Sequence, residues 1–295
     1  MSKAQLLRQY IRGTLRLAAR WKQLRQVDHV VAFGHFAFAI KLLARLGLIR
    51  YRKLFCFAFF VHDPKLFPLC RQLVRLDGNN DLYLVFSRSE LELYRGQLGI
   101  EEQRLVYLPY GDWGQFNWQA RADWTKPTRD YYLAGGSSNR DYAGLVEAFR
   151  SIRARLVIVC AQSNWEELRD LDISENVAVL QDVPSDVFES LVRGSKAGII
   201  PLKLDTGASG QSVALAHTRN SQCVIASDAG ALREYIDHGV SGFLLRSLAE
   251  LPETIRKIEQ EALAEPMGRA ARQKYDQQFS RQVVADAFDE LLEAA

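Results

Sequence analysis

Long uncharged apolar runs are missing from this chain: Leu54–Val61 is the length of a strand, and no segment approaches the roughly 20 apolar residues of a membrane-crossing helix. The start at Met1 lacks an apolar signal core followed by a cleavage site, so a cytoplasmic protein is expected. Cysteine is scarce as well. The four, at 56, 70, 160 and 223, have neither paired nor metal-ligand spacing and read as small buried apolar residues of a reducing compartment. A dominant charge is also absent, since 38 Lys and Arg stand against 35 Asp and Glu, a formal +3 that does not demand nucleic acid as partner. No nucleic-acid recognition module accompanies the basic residues near the start. Two phosphate-binding signatures, GxGxxG and the Lys-Ser/Thr loop, are missing too.

What remains is enough for two domains: 295 residues, 48% of them apolar. Strand-like and helix-like patterns alternate. Strands are expected at Asp28–Phe33, Leu54–Val61, Leu82–Phe86 and Arg104–Leu108, with helices at Phe36–Leu46 and Glu90–Gln97 between them. A polar connection from Asn117 through Pro127 separates this half from a second. There, strands at Tyr131–Ala134, Arg155–Cys160, Val177–Leu180, Ala197–Leu202 and Cys223–Ser227 alternate with helices at Ala143–Arg150, Trp165–Leu168 and from Val213 onward. The pattern predicts an α/β chain of two sheets covered by helices.

Within the second half, Gly207, Ser209 and Gly210 turn the chain between a buried strand and a helix. Converging N–H groups at that turn suit a diphosphate, while the alternative is a tight glycine turn capped by Ser209 with no ligand. Ser227, Asp228 and Gly230 form a second polar turn after the next strand, and two such turns on neighbouring parallel strands share one crevice. Near the start, Leu7, Ile11, Leu15, Ala18 and Trp21 fall at helical spacing among Arg8, Arg12, Arg16, Arg20, Lys22 and Arg25. This segment, residues 5–25, fits either an anionic membrane surface or a helix packed on the domain with its charges in water.

Four segments then resemble the family 4 glycosyltransferases (glycosyl transferases group 1): VHD at Val61–Asp63, VFSRSE followed by VYLPYGD, GGSSNRDYAGLVEAF, and the Gly/Ser turn running to SGFLL. The MGRAARQKYDQQFS segment, Met267–Ser280, and a last helix over Gln282–Leu292 are similar to that family's ending. The resemblance implies a GT-B fold of two Rossmann-like domains facing a central cleft. Residues 1–118 form a shortened acceptor-side domain, 119–278 a nucleotide-sugar-binding domain, and 279–295 a helix packing back toward the first.

It further implies a retaining transferase that moves a sugar from a nucleotide diphosphate sugar to a glycan or lipid-linked acceptor, with no required cofactor or metal. Ser209, Gly210 and Gln211 match the diphosphate turn. Asn139 and Arg140 stand where the family presents basic residues to the phosphates, Arg140 stabilising charge on the departing group. His62 orients the reacting sugar with Asp63 beside it, Ser227, Asp228 and Gly230 shape the sugar side, and His35 is an acceptor-side candidate. Asp112 sits in a turn like the family's Asn-Gly-Val-Asp, where a turn-forming role is expected. The family's acidic residue is replaced near Gly207, and its ribose-holding glutamate aligns with Ala216. His217, Asp205 and Gln211 are polar replacements to consider, with helix-surface or packing roles as the alternative for His217. A non-catalytic glycan-binding or assembly subunit of the same architecture is the competing reading.

Overall fold

The computed structural model describes residues 27–34, 36–57, 67–75, 81–114, 129–203 and 209–294. His35, His62, Asp63, Asp205, Gly207 and the basic segment 5–25 lie outside the described residues. The chain divides into two compact units, one of residues 1–108 with 292–295, the other of 109–291.

The first unit runs β1 (His29–Phe33), α1 (Phe36–Arg45), β2 (Lys53–Phe57), α2 (Phe67–Val74), β3 (Leu82–Val85), α3 (Arg88–Leu98) and β4 (Leu105–Tyr107). Its four strands are parallel in the order β1-β2-β3-β4, with Val31 opposite Phe55 and Leu84 opposite Val106. Leu54, Cys56, Tyr83 and Val85 meet Ile40 of α1 and Tyr94 of α3 in one core, the near-continuous apolar strand pattern of a parallel sheet. Both ends of α3 are written locally: the Ser87 hydroxyl accepts from Glu90 N–H, and Gly99 at φ +68° closes the helix by donating to Tyr94 O.

The second unit runs β5 (Tyr131–Gly135), α4 (Tyr142–Phe149), β6 (Arg155–Cys160), α5 (Gln162–Leu168), β7 (Val177–Gln181), α6 (Ser185–Gly194), β8 (Ala197–Ile200), α7 (Gln211–Arg219), β9 (Val224–Ser227), α8 (Leu232–Tyr235) and β10 (Gly242–Leu245). Helices α9 (Leu251–Gln260), α10 (Ala264–Gln278) and α11 (Arg281–Glu293) follow. Its six parallel strands are ordered β10-β9-β8-β5-β6-β7. Alternate residues of β5 point to opposite faces: Tyr132 and Ala134 join the core under α4 and α9, whereas Leu133 packs with Leu191, Val192 and Ala216. The exposed edge at β10 is blunted, because His238 Nδ1 accepts from Leu244 N–H at 3.1 Å and Gly239 N–H donates to Gly242 O at 2.8 Å. All four cysteines are buried and free.

The expected strands and helices occur with shifted ends, the strand expected over Ala197–Leu202 stopping at Ile200, while residues 58–61 of the strand expected over Leu54–Val61 lie outside the described residues. Helices α2, α6, α9 and α10 and strand β10 are not among the elements the sequence pattern predicts. Ser185–Gly194 interleaves Val187, Phe188, Leu191 and Val192 with polar residues, of which Glu189 and Ser190 are themselves buried, a pattern that a search for apolar runs passes over.

Candidate functional site

The strand order of the second unit reverses at β5: the chain moves outward through β6 and β7, then returns to β8 on the other side of β5. The carboxyl ends of β5 and β8 flank that switch point, where open α/β sheets leave a crevice. Asn139 and Arg140 lie after β5, and Ser209–Gln211 lie after β8. Two backbone hydrogen bonds join the loops, from Asp141 N–H to Pro201 O at 3.0 Å and from Lys203 N–H to Asn139 O at 3.2 Å.

Arg140 folds back over the end of β5. Its Nε donates to Gly135 O at 2.9 Å and its Nη1 to Ser138 O at 2.5 Å. Gly136 makes room for this: at φ +102° it tolerates a backbone that other residues strain to adopt, and a Cβ there would lie 2.6 Å from Nη2. Asn139 takes a left-handed φ of +56° to complete the turn. The Tyr142 hydroxyl donates to Gly136 O at 2.6 Å, and burial pushes this phenol well above its ordinary range. Arg140 is 4% exposed, and burial lowers the guanidinium pKa while nearby Tyr142 works the other way. No Asp or Glu among the described residues pairs with it. Neighbouring Asp141 is committed to capping α4 through Gly144 N–H at 2.9 Å.

At the second loop, Gly210 caps α7 at φ +90° with no side-chain bond to the helix. A Cβ there would stand 2.9 Å from Ile200 Cγ2 and 3.1 Å from Leu232 Cδ2. The first-turn N–H groups therefore lack a side-chain cap, and the helix dipole adds partial positive charge. Gln211 is buried, its amide donating to the Tyr235 hydroxyl at 3.4 Å. That hydroxyl donates to Tyr110 O at 2.7 Å, and Ser212 Oγ meets the Tyr110 hydroxyl at 3.3 Å. Tyr235 in turn stacks on Phe279 at a centroid distance of 4.4 Å. Tyr110 and Tyr235 were missed from sequence; an aromatic between Pro109 and Gly111 was the available signal.

The remaining candidates have definite places. The Ser227 hydroxyl accepts from Leu202 N–H at 2.8 Å. The Asp228 carboxylate pairs with Arg233 at 2.6 Å and lines a hollow of about 460 Å³ with His238, Leu244, Arg246 and Glu250. Gly230 turns at φ +48°. Asp112 is buried in a turn, accepting from Gly114 N–H at 2.9 Å and from the Tyr275 hydroxyl at 3.0 Å. Ala216 is buried between Leu133 and Leu191.

His217 is a packing residue. It is fully buried, its ring lies against Gly198, where a Cβ would come within 2.5 Å, and its Nδ1 bonds Gln222 Oε1 at 2.9 Å. Burial lowers its pKa to about 4, so the ring is neutral. A ring enclosed in this way has no path to a ribose, which removes it from the polar replacements.

Residues 133–261 match the family model described as glycosyl transferases group 1. No curated protein sequence matches the chain. Among solved structures, Anabaena Alr3699/HepE in complex with UDP and glucose is similar at a TM-score of 0.75 and 15% identity, over 95% of this chain and 82% of that one. A glycosyltransferase from Rickettsia africae is similar at 0.71 and 16% identity over 94% and 79%. WaaG, a glycosyltransferase involved in lipopolysaccharide biosynthesis, is similar at 0.61 and 17% identity over 86% and 81%. Residues 133–261 thus carry a likeness to the glycosyl transferases group 1 family, within a chain that has the GT-B fold of two Rossmann-like units.

Proposed function

We propose that this chain is a retaining glycosyltransferase, moving a sugar from a nucleotide diphosphate sugar to a glycan or lipid-linked acceptor at the cytoplasmic face of a membrane. One observation carries the reading: a buried guanidinium, Arg140, has no carboxylate partner among the described residues and sits beside the switch point flanked by the N-terminus of α7. A buried charge is costly unless an opposite charge meets it. A diphosphate held by the N–H groups at Ser209–Gln211 supplies that charge. HepE was solved with UDP-glucose and with UDP and glucose, which supports a donor of this class.

In this reading the anomeric C–O bond to the diphosphate breaks and the departing group keeps the electron pair. The acceptor hydroxyl passes its proton to the departing diphosphate oxygen as its own oxygen bonds the anomeric carbon. Arg140 and Asn139 stabilise the departing charge, His62 orients the reacting sugar, and Ser227, Asp228 and Gly230 shape the sugar side. Residues 5–25 meet an anionic lipid surface. Among the described residues no helix is long and apolar enough to cross a membrane.

Calorimetric titration with UDP-glucose and other nucleotide diphosphate sugars is the test, with an Arg140→Ala protein beside the wild type. Saturable binding is expected, weakened in the variant by roughly 1.5–3 kcal/mol, the worth of a hydrogen bond to a charged group. Equal affinity of the two proteins would remove Arg140 from the site. Buried Ala216 favours a second reading, because no carboxylate stands where the family places its ribose-holding glutamate. Donor binding without transfer to any lipid or glycan acceptor would make the chain a non-catalytic assembly subunit.

A further inference from the structure

Beyond the carboxyl end of β8 the chain is pinned on two sides. Asp141 N–H donates to Pro201 O at 3.0 Å and Lys203 N–H to Asn139 O at 3.2 Å, so Arg140 stands opposite Leu202 in a short antiparallel bridge and Asn139 opposite Lys203. On the other side, Leu202 N–H donates to Ser227 Oγ at 2.8 Å. The backbone at Lys203 is thereby fixed between the loop after β5 and the end of β9. Directly opposed residues of an antiparallel pair bring their Cβ atoms to about 5 Å, a spacing shorter than a lysine side chain.

Glu167 holds the Lys203 ammonium at 2.6 Å, with both side chains about half exposed. Glu167 lies in the last turn of α5, and one turn earlier the buried Asn164 docks that helix on the loop after β5, its Nδ2 donating to Ser137 O at 3.1 Å. Because β8 and β6 flank β5 in the sheet, this ion pair joins the chain segments on either side of the switch point. Exposed pairs between long side chains add little to stability. Holding the fold together is therefore the weaker account of a pair placed beside Asn139 and Arg140.

We propose that Lys203 is a second diphosphate-binding cation of the donor site, and that Glu167 competes with the diphosphate for it. The inference rests on the donor-site reading above. A diphosphate carries more than one negative charge, and Arg140 answers one of them. Arg140 is buried and fixed by Gly135 O and Ser138 O, whereas Lys203 turns on a flexible stem and can exchange a carboxylate for a phosphate oxygen while its backbone stays in place. The exchange gives up one exposed ion pair and gains a charge-assisted hydrogen bond to a more highly charged group. Glu167 thereby lowers the affinity that Lys203 would otherwise give the site.

Calorimetric titration of the full chain with UDP, GDP and ADP is the test, the variants being compared on whichever binds wild type most tightly. They are Arg140→Ala, Lys203→Met, Glu167→Gln and the Lys203→Met/Glu167→Gln double variant, each with its thermal melt recorded. Affinity is expected to fall about tenfold or more in Lys203→Met and to rise about two- to fivefold in Glu167→Gln, with melting temperatures unchanged. The double variant is expected to match Lys203→Met, because Glu167 acts only through Lys203. Affinity that falls alike in both single variants, or changes in neither while Arg140→Ala weakens binding, overturns the proposal and leaves the donor site standing. A gain from Glu167→Gln that persists in the double variant overturns the competition. A lowered melt with unchanged affinity assigns the pair to packing and overturns it too. No binding of any of the three by folded wild type overturns the donor-site reading, and this inference with it.

Discussion

Single residues set two opposed responses to pH. Neutral His217 has a folded pKa of about 4 against 6.5 for the free side chain, so its contribution is fully present above 6.5 and is lost as pH falls toward 4. The loss amounts to about 3 kcal/mol at the low end. His217→Gln keeps a donor for Gln222 and removes the titration, so urea unfolding at pH 7 and pH 5 is expected to show a smaller drop in the variant than in wild type. Glu90 works in the other sense. Burial raises its carboxyl to about 7 from 4.5, against hydrogen bonds from Phe86 and Ser87 that lower it. Its stabilisation is therefore present below 4.5 and is lost as pH rises through 7. Glu90→Gln retains an acceptor for Phe86 N–H, 3.0 Å away, and is expected to gain on wild type between pH 5 and pH 8 by up to about 3 kcal/mol. A variant no more stable at pH 8 than at pH 5, relative to wild type, would sink that account.

At the scale of elements, the N-terminus of α7 depends on its surroundings more than on its own sequence. Gly210→Ala adds a Cβ at φ +90°, 2.9 Å from Ile200, and is expected to cost about 1–3 kcal/mol. Because the strain falls at the cap, nucleotide-sugar affinity should fall along with the denaturant midpoint. Tyr235→Phe separates the two effects. It deletes the hydroxyl between Gln211 and Tyr110 while leaving the ring on Phe279. A stability loss of about 1–2 kcal/mol is expected, and a weaker donor titration would show that this hydroxyl holds the first turn of α7 in its binding position. The capped ends of α3 were readable from Ser87, Glu90 and Gly99 because capping is local chemistry. The cap of α7 was readable only as a glycine turn, since its supports come from β8, α8 and the segment before Gly114.

For the whole molecule, Glu90 and His217 lie in different units, with cores of their own. Lowering pH from 7 to 5 should consequently strengthen the first unit through Glu90 and weaken the second through His217. Hydrogen-exchange mass spectrometry, corrected for intrinsic rates, is expected to show deprotection concentrated in residues 109–291, and to a lesser degree in the His217→Gln protein. Uniform deprotection of both units in wild type would mean that other groups govern acid stability.

The amino-acid sequence by itself determined the α/β class, two successive sheets, the main strand positions and the glycine turns after β5 and β8, because periodicity and turn chemistry act over a few residues. Its motifs also sufficed to mark the resemblance to glycosyl transferases group 1 whose family model matches residues 133–261. Tertiary structure decided what the polar residues do. Adjacent in sequence to Ala216, His217 was a candidate ribose contact until packing against Gly198 enclosed it. Asp228, in a polar turn, is occupied by Arg233, while Arg140, in another, is buried with no acid of the described residues to meet it. Sequence spacing places a side chain on an element, but burial and counter-charge come from residues far along the chain, and these decide whether it supports the fold or is left to meet a ligand.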